Sequence, residues 1–559
     1  MSFTNFFLLI ITLASLSVFS HGLTISSEQP NPSIQSMLMQ TCTQIENQSS
    51  CLTEVQAELQ SIMGPDQSHQ NAASARSSIL SAALRHTLNQ AKAAVDMITK
   101  FNALSIGYRE QVAIEDCKEL LDFSVSELAW SLGEMNRIRT GDKNVHYEGD
   151  LKAWLSAALS NQDTCLEGFE GTDRRLENFI RGSLKQVTQL IGNVLALYTQ
   201  LHALPFKPPR DHSMNTLTIA NKSSSPDHNF PAWMSDGDQE MVKSSPHDQS
   251  GMHVDAVVAT DGSGKYRSIT EAVNEAPDHS SRRYIIYVKK GIYRENIDMK
   301  KKKTNIMFVG DGIGQTVVTG DRSFMQGWTT FRTATVAVSG KGFIARDMTF
   351  RNTAGPENHQ GVALRVDSDQ SAFFRCSMEG HQDTLYAHSL RQFYRECDIY
   401  GTIDFIFGNG AAVLQNCKIY TRVPLSLQKV TITAQGRKDP HQNTGFSIQD
   451  SYVFATQPTY LGRPWKPYSR TVFINTYLGG LVQPRGWLEW YGNFALGTLW
   501  YGEYRNYGPG ASLSGRVKWP GYHIIQDANM ASFFTVRRFI DGMAWLPATG
   551  VKFTVGLRN

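Results

Sequence analysis

Gly380-His381-Gln382-Asp383-Thr384-Leu385-Tyr386 and, further along, Gly401-Thr402-Ile403-Asp404-Phe405-Ile406-Phe407-Gly408 decide how the chain is read. Asp383 and Asp404 are 21 residues apart. Each sits among aromatic and β-branched residues, the composition of a strand or its edge. The surroundings repeat with the same step. Cys376, Cys397 and Cys417 follow one another at 21 and 20 residues, and Gln360 precedes Gln382 by 22. A period near 20 with one apolar run per repeat marks a solenoid. If each repeat is one coil of a parallel β-helix, equivalent residues stack about 4.8 Å apart. Gln360, Gln382 or Asp383, and Asp404 then occupy three successive coils on one face. Two carboxylates that close do not both ionise: one keeps a proton and the other stays charged. Such a pair supplies an acid and a nucleophile without a metal.

From about Val254 onward the chain is a run of short strands between Gly, Asn and Asp turns. Tyr284–Val288, Asn305–Gly310 and Thr335–Val338 are examples, and one short helix is expected at Ser268–Ala276. Strands too many and too short for hairpins fit a parallel β-helix. Lys300-Lys301-Lys302-Lys303 reads most simply as a solvated turn.

Residues 33–203 have a different period. Apolar residues recur every three to four positions through Ser78–Ile98, Val112–Leu128 and Leu176–Leu195, and Pro and Gly are scarce there. Four long amphipathic segments after a short hairpin around Cys42 and Cys51 predict a four-helix bundle. Residues 204–250 are rich in Pro, Ser, Asp and His and read as a protease-accessible linker. Residues 1–22 carry an apolar run from Phe6 to Phe19 followed by small and polar residues, which fits a secretory signal peptide. No later run is long enough for stable membrane insertion. Asn47-Gln48-Ser49 and Asn221-Lys222-Ser223 are glycosylation sequons.

The net charge of +3 conceals an asymmetry. Residues 1–250 hold 18 Lys and Arg against 27 Asp and Glu, and residues 251–559 hold 36 against 24. An acidic first part and a basic second part attract each other, and the second suits an acidic target. The secretory start favours an extracellular polyanion, such as a uronic-acid polymer, over nucleic acid. Of the seven cysteines, Cys42, Cys51, Cys117 and Cys165 can form two bridges in an oxidising compartment. The three in the second part leave at least one thiol free, and their ladder reads as core packing. No spacing looks like a zinc site.

At these motifs the sequence resembles plant pectin methylesterases that carry an inhibitor-like pro-region. The matching residues are Gly291-Ile292-Tyr293-Arg294-Glu295, Gln360-Gly361-Val362-Ala363-Leu364, Gln382–Tyr386, Asp404–Gly408 and Leu461-Gly462-Arg463-Pro464-Trp465. They stand in family order and cover nearly all of residues 254–555. The helical part is similar to the pectin methylesterase and invertase inhibitors. The resemblance implies a right-handed parallel β-helix over 251–559 behind an all-α bundle with a helical hairpin. It implies a secreted cell-wall esterase that frees methanol from methyl-esterified homogalacturonan and needs no cofactor or metal. Asp404 would attack the ester carbonyl, and Asp383 would serve as acid and then base. Gln360 and Gln382 would donate to the oxyanion, and Arg463 would hold Asp404 ionised. Trp465 would stack on a sugar, with Tyr386 and Thr330 as further substrate contacts. Pectin is the implied partner of a monomer, separate inhibitor proteins are further candidates, and the pro-region is expected to inhibit in cis. A polysaccharide lyase on the same scaffold, or a chiefly inhibitory protein, are the alternatives.

Departures from the family pattern are local. The basic processing pair that relatives carry after a Trp-Leu-Ser segment is absent beyond Trp233-Met234-Ser235. Ser451 stands where relatives often have a cysteine that bridges to the equivalent of Cys417. His381 stands where Tyr is common, and neither it nor His388 is expected to be catalytic. The segment Ser451–Leu461 looks short, which would lower one cleft wall. Trp487 and Trp490 read as core or cleft wall.

Overall fold

The computed structural model describes residues 32–63, 72–101, 105, 107–139, 147–202 and 254–558. The expected signal peptide, the linker, the region of the absent processing pair and the second sequon lie outside these residues.

Six helices form the first part: α1 (Pro32–Thr41), α2 (Gln48–Met63), α3 (Ala72–Lys100), α4 (Tyr108–Arg139), α5 (Tyr147–Glu167) and α6 (Arg175–His202). The α1–α2 hairpin is closed by Cys42–Cys51, and the start of α2 is capped by Asn47, whose Oδ1 accepts from the Ser50 N–H at 3.1 Å. The four long helices pack α3 on α4, α4 on α5, α5 on α6 and α6 back on α3, which closes the bundle. Cys117–Cys165 ties α4 to α5. Ile79, Leu84, Ile114, Leu121, Leu155, Ile180 and Ile191 fill the centre with no exposed surface.

Every strand pairing in the second part is parallel, as in the predicted right-handed β-helix. A seven-stranded sheet forms one face, with neighbours in space following chain order: Ile297–Met299, Val336–Val338, Leu364–Val366, Leu385–Tyr386, Ile406–Gly408, Val430–Gln435 and Thr459–Gly462. Register is exact from coil to coil. Ile297, Val336, Leu364, Leu385, Ile406, Thr433 and Gly462 make one column. Gly462 closes it tightly, since a Cβ there would lie 2.1 Å from Thr433 Oγ1. The expected short helix is present at Ile269–Glu275, capped by Ser268 and Glu271 in a reciprocal capping box.

The cysteine ladder marks a bend. Asp347, Arg375, Glu396, Asn416, Asp450, Asn475 and Arg505 all have φ between 48° and 57°. At each, the chain turns from one face of the solenoid to the next. The residue that follows is Met348, Cys376, Cys397, Cys417, Ser451, Thr476 or Asn506. The 20-residue step is therefore the length of a coil without insertions, and longer loops stretch it elsewhere. All three cysteines are free and buried, and burial pushes the Cys397 and Cys417 thiols well up.

The lysine run is a turn that is solvated only in part, with Lys300 and Lys302 about half exposed. Lys303 is buried, with its ammonium on the Asn274 carbonyl at 2.8 Å and on that of Ala276. Lys300 and Lys301 reach the helical part, pairing with Glu119 and Glu127 of α4 at 2.8 Å each. The charge asymmetry of the sequence is thus spent within the chain. Asp116 and Glu119 pair with Arg332, and Asp150 pairs with Arg391. Trp154 Nε1 donates to Asp369 at 3.0 Å, and Ser160 Oγ accepts from Asn409 at 2.7 Å. The apolar core of the bundle continues without a break into Phe331, Val362, Tyr386, Phe407 and Ala434 of the seven-stranded face.

Candidate active site

Asp383 and Asp404 each stand just before a strand of the seven-stranded sheet, at positive φ (64° and 49°). The coil turns there, so the side chains leave the column of inward residues and face outward over the sheet. Gln360 and Gln382 are bridged on adjacent coils, and the Asp383 N–H donates to the Ile403 carbonyl at 3.1 Å. Asp383 and Asp404 line one cavity of about 270 Å³, together with Thr330, Gln360, Gln382, Tyr386, Arg463 and Trp465. Every site residue read from the sequence is therefore gathered in one place.

The two aspartates have different surroundings. Arg463 Nε donates to Asp404 Oδ1 at 2.9 Å, and its Nη2 donates to Oδ2 at 2.7 Å. This is the bidentate fork that fits a carboxylate best. Burial works against the charge of Arg463, yet the Asp404 carboxylate holds its pKa above the ordinary value. Thr431 Oγ1 donates to Asp404 Oδ1 at 2.6 Å and accepts from the Asp404 N–H at 2.9 Å. Asp383 has no such pairing, and its carboxyl is pushed well up, first by burial and then by the negative charge of Asp404. One carboxyl is thus pushed toward its protonated form beside one that is ion-paired.

Sequence reasoning left several contacts unread. Thr431 follows Asp404 by 27 residues, off the 21-residue period because a loop intervenes. Trp490 and Trp487, read as cleft wall or core, are one of each: Trp490 lines the cavity with the Arg463 guanidinium 4.3 Å from its ring centre, and Trp487 is fully buried in the core. Phe407 stacks on Tyr386 at 4.1 Å and leans on Trp465 at 5.9 Å. Phe331 also lines the floor. The roof comes from the helical part: Thr164 and Glu167 of α5, then Gly168 and Glu170. Glu167 pairs with Lys466 at 2.6 Å, and Asp163 pairs with Lys438 at 2.9 Å. His388 lies at this seam, its Nε2 3.0 Å from Thr164 Oγ1. His381 is half-buried, and burial lowers its pKa.

Residues 255–543 match the family model described as pectinesterase. The chain belongs to the pectinesterase family. Residues 36–197 of this pectinesterase match the model of the plant invertase/pectin methylesterase inhibitor family. Membership makes it a carboxylic ester hydrolase, and the lyase and purely inhibitory alternatives fall away. It is 62% identical to the putative pectinesterase/pectinesterase inhibitor 22 of Arabidopsis thaliana, over 99% of both chains. It is 48% identical to the pectinesterase/pectinesterase inhibitor PPE8B of Prunus persica, over 84% of this chain and 88% of that one. Among solved structures, the pectin methylesterase from carrot is 53% identical, with a TM-score of 0.55. It covers 56% of this chain and 100% of its own. In that relative, the whole solved chain matches little more than the β-helix of this pectinesterase. Consistent with this, the inner core of the β-helix is built only from residues between Ala256 and Val517. Among the described residues, no helix is long and apolar enough to cross a membrane, and no cluster of His, Cys, Asp or Glu is arranged to hold a metal ion.

Proposed function

We propose that this pectinesterase hydrolyses the methyl esters of homogalacturonan by a two-step acyl transfer. Asp404 attacks the ester carbonyl, and Gln360 and Gln382 donate hydrogen bonds to the oxyanion that forms. Asp383 gives its proton to the departing methoxide, which leaves as methanol. The resulting acyl-enzyme is a mixed anhydride on Asp404. Asp383, now a carboxylate, takes a proton from water as the water attacks. The free galacturonate leaves, and both aspartates return to their starting states. Arg463 aims Asp404, while Trp465, Tyr386 and Thr330 hold the sugars. The single observation behind the assignment of roles is the contrast between the carboxyls: Arg463 on both oxygens of Asp404, and a raised pKa at Asp383.

The reading extends to the whole chain. Residues 1–22 direct secretion to the cell wall, 33–203 form the inhibitor-like part, 204–250 the linker and 251–559 the catalytic part. The helical part blocks the enzyme in cis, because its α5 end roofs the cavity where a polymer must lie.

The test is methanol release from highly methylated pectin by residues 251–559, wild type against Asp404→Asn. The variant is expected to keep its near-UV circular dichroism and to lose activity by about 10³-fold or more. Comparable release by both would remove Asp404 from the mechanism.

A further inference from the structure

A second cavity, of about 590 Å³, opens on the seam between the two parts and shares no lining residue with the catalytic one. The helical part gives it Trp130 of α4 and Trp154 of α5, whose rings meet edge to face at 5.8 Å. The β-helix gives it Lys301, Lys302 and Lys341. Trp154 is buried and fixed by its bond to Asp369, while Trp130 is 36% exposed. The three ammonium groups are not equally occupied. Lys301 is held by Glu127 at 2.8 Å and lies 5.0 Å from the centre of the Trp130 ring. Lys302 pairs at 2.9 Å with Asp278, an acid that it shares with Lys303. Lys341 Nζ lies 5.6 Å from the centre of the Trp154 ring, within cation–π reach, and no carboxylate among the described residues pairs with it. The single acid on the lining, Glu134, pairs with Arg137 at 3.4 Å. The cavity is therefore aromatic, carries an excess of positive charge and keeps one ammonium without a counter-ion.

Its volume is that of a small-ligand site. An exposed indole offers an apolar face to a sugar ring, and an ammonium beside it takes a carboxylate. A neutral sugar would leave the charge of Lys341 unmatched, and a bare inorganic anion would leave the indoles uncovered. In the reaction proposed above, each cleaved ester leaves a galacturonate, which brings both groups. We propose that this cavity binds a galacturonate unit of de-esterified galacturonan, with its ring against Trp130 and its carboxylate on Lys341. Trp130 belongs to the helical part and Lys341 to the β-helix, so the site is whole only while the two are docked. A ligand held by both adds to docking by mass action. The product of the enzyme thus favours the closed chain from a place outside the catalytic cavity. This choice of ligand rests on the pectinesterase reading.

The test is calorimetric titration of the full chain with a galacturonate trimer and with its fully methyl-esterified counterpart. The chain carries Asp404→Asn throughout, so that no ester is cleaved. The free-acid trimer is expected to bind, to weaken as salt is added and to raise the unfolding temperature. The esterified trimer is expected to bind about tenfold more weakly or less. Adding Lys341→Met should weaken the free acid by about tenfold, the loss of one charge-assisted bond. Trp130→Ala should weaken it by about three- to tenfold, and Lys341→Arg should keep most of the affinity. Equal binding of the two trimers, unchanged affinity in both Lys341→Met and Trp130→Ala, or no binding of the free acid overturns the proposal. The comparison of the two trimers and its salt dependence need no cavity variant and stand however those variants fold. Absence of methanol release from methylated pectin by residues 251–559 would instead remove the pectinesterase reading, while the titration would still report on the cavity.

Discussion

Asp383 and Asp404 hold a left-handed backbone conformation that costs most side chains about 1–2 kcal/mol. Asp tolerates it better than most residues, because its short polar side chain can bond locally. At this position the turn lifts each carboxyl out of the apolar column and into the cavity, so the strain lies at the point of chemistry. In the proposed reaction Asp383 is the acid of the first step, and its raised pKa sets the sign of the pH response. As pH rises through that pKa, the proton needed for the first step is lost and methanol release falls. Asp383→Asn in residues 251–559 should remove this alkaline limb and lower kcat by about 10²–10⁴-fold. A pH–rate profile with the same limb in the variant would assign it to another group. The aspartates, the glutamines and Arg463 were legible in the sequence because each lies in a short motif. Thr431 was not, since nothing local marks a threonine 27 residues on as the partner of Asp404.

Successive coils repeat one local plan: a strand, a left-handed bend, an inward residue and a second strand. Three coils of minimal length put cysteines at that inward position, which is why the ladder was visible as a step of about 20. In the next coil the position is Ser451, whose Oγ accepts from the Cys417 N–H at 3.1 Å and donates to the Gln449 carbonyl at 2.9 Å. Ser451→Cys should bridge to Cys417 across neighbouring coils. Closing a loop of this size contributes about 2–4 kcal/mol, offset by about 1 kcal/mol for the lost hydroxyl bonds. Thiol titration in denaturant should then find two free cysteines rather than four, with a higher unfolding temperature. Four free thiols would show that the coils do not present the two sulfurs to each other. The solvated-turn reading of the lysine run held only for Lys300 and Lys302, because a cluster of like charges carries no sign of what will be packed over it.

In the full chain, the acidic bundle and the basic β-helix join over the cleft, and three helical carboxyls at the seam carry raised pKa values. Burial pushes Glu127 from its ordinary 4.5 to about 7 against the pull of Lys301, and pushes Asp116 from 3.8 to about 6 against Arg332. Glu167 is raised in the same way. A carboxyl with a higher pKa docked than free contributes its full docking stability below the free pKa. That contribution is lost as pH rises through the docked pKa. Docking should therefore weaken between about pH 4.5 and 7, by up to about 3 kcal/mol for Glu127. Activity of the full chain relative to residues 251–559 should rise over that window, and Glu127→Gln should flatten the rise. An unchanged slope in the variant would clear Glu127 of the effect. The sequence by itself determined the two folds and the cleft floor. Helical and coil periods are local, and a fixed rise per coil turns sequence spacing into position on a face. The tertiary structure alone decided that α5 roofs the cavity, that Lys300 and Lys301 clamp α4, and that Lys438 and Lys466 hold carboxylates. Such pairings join residues more than a hundred positions apart through matched shape and charge, which no periodicity records.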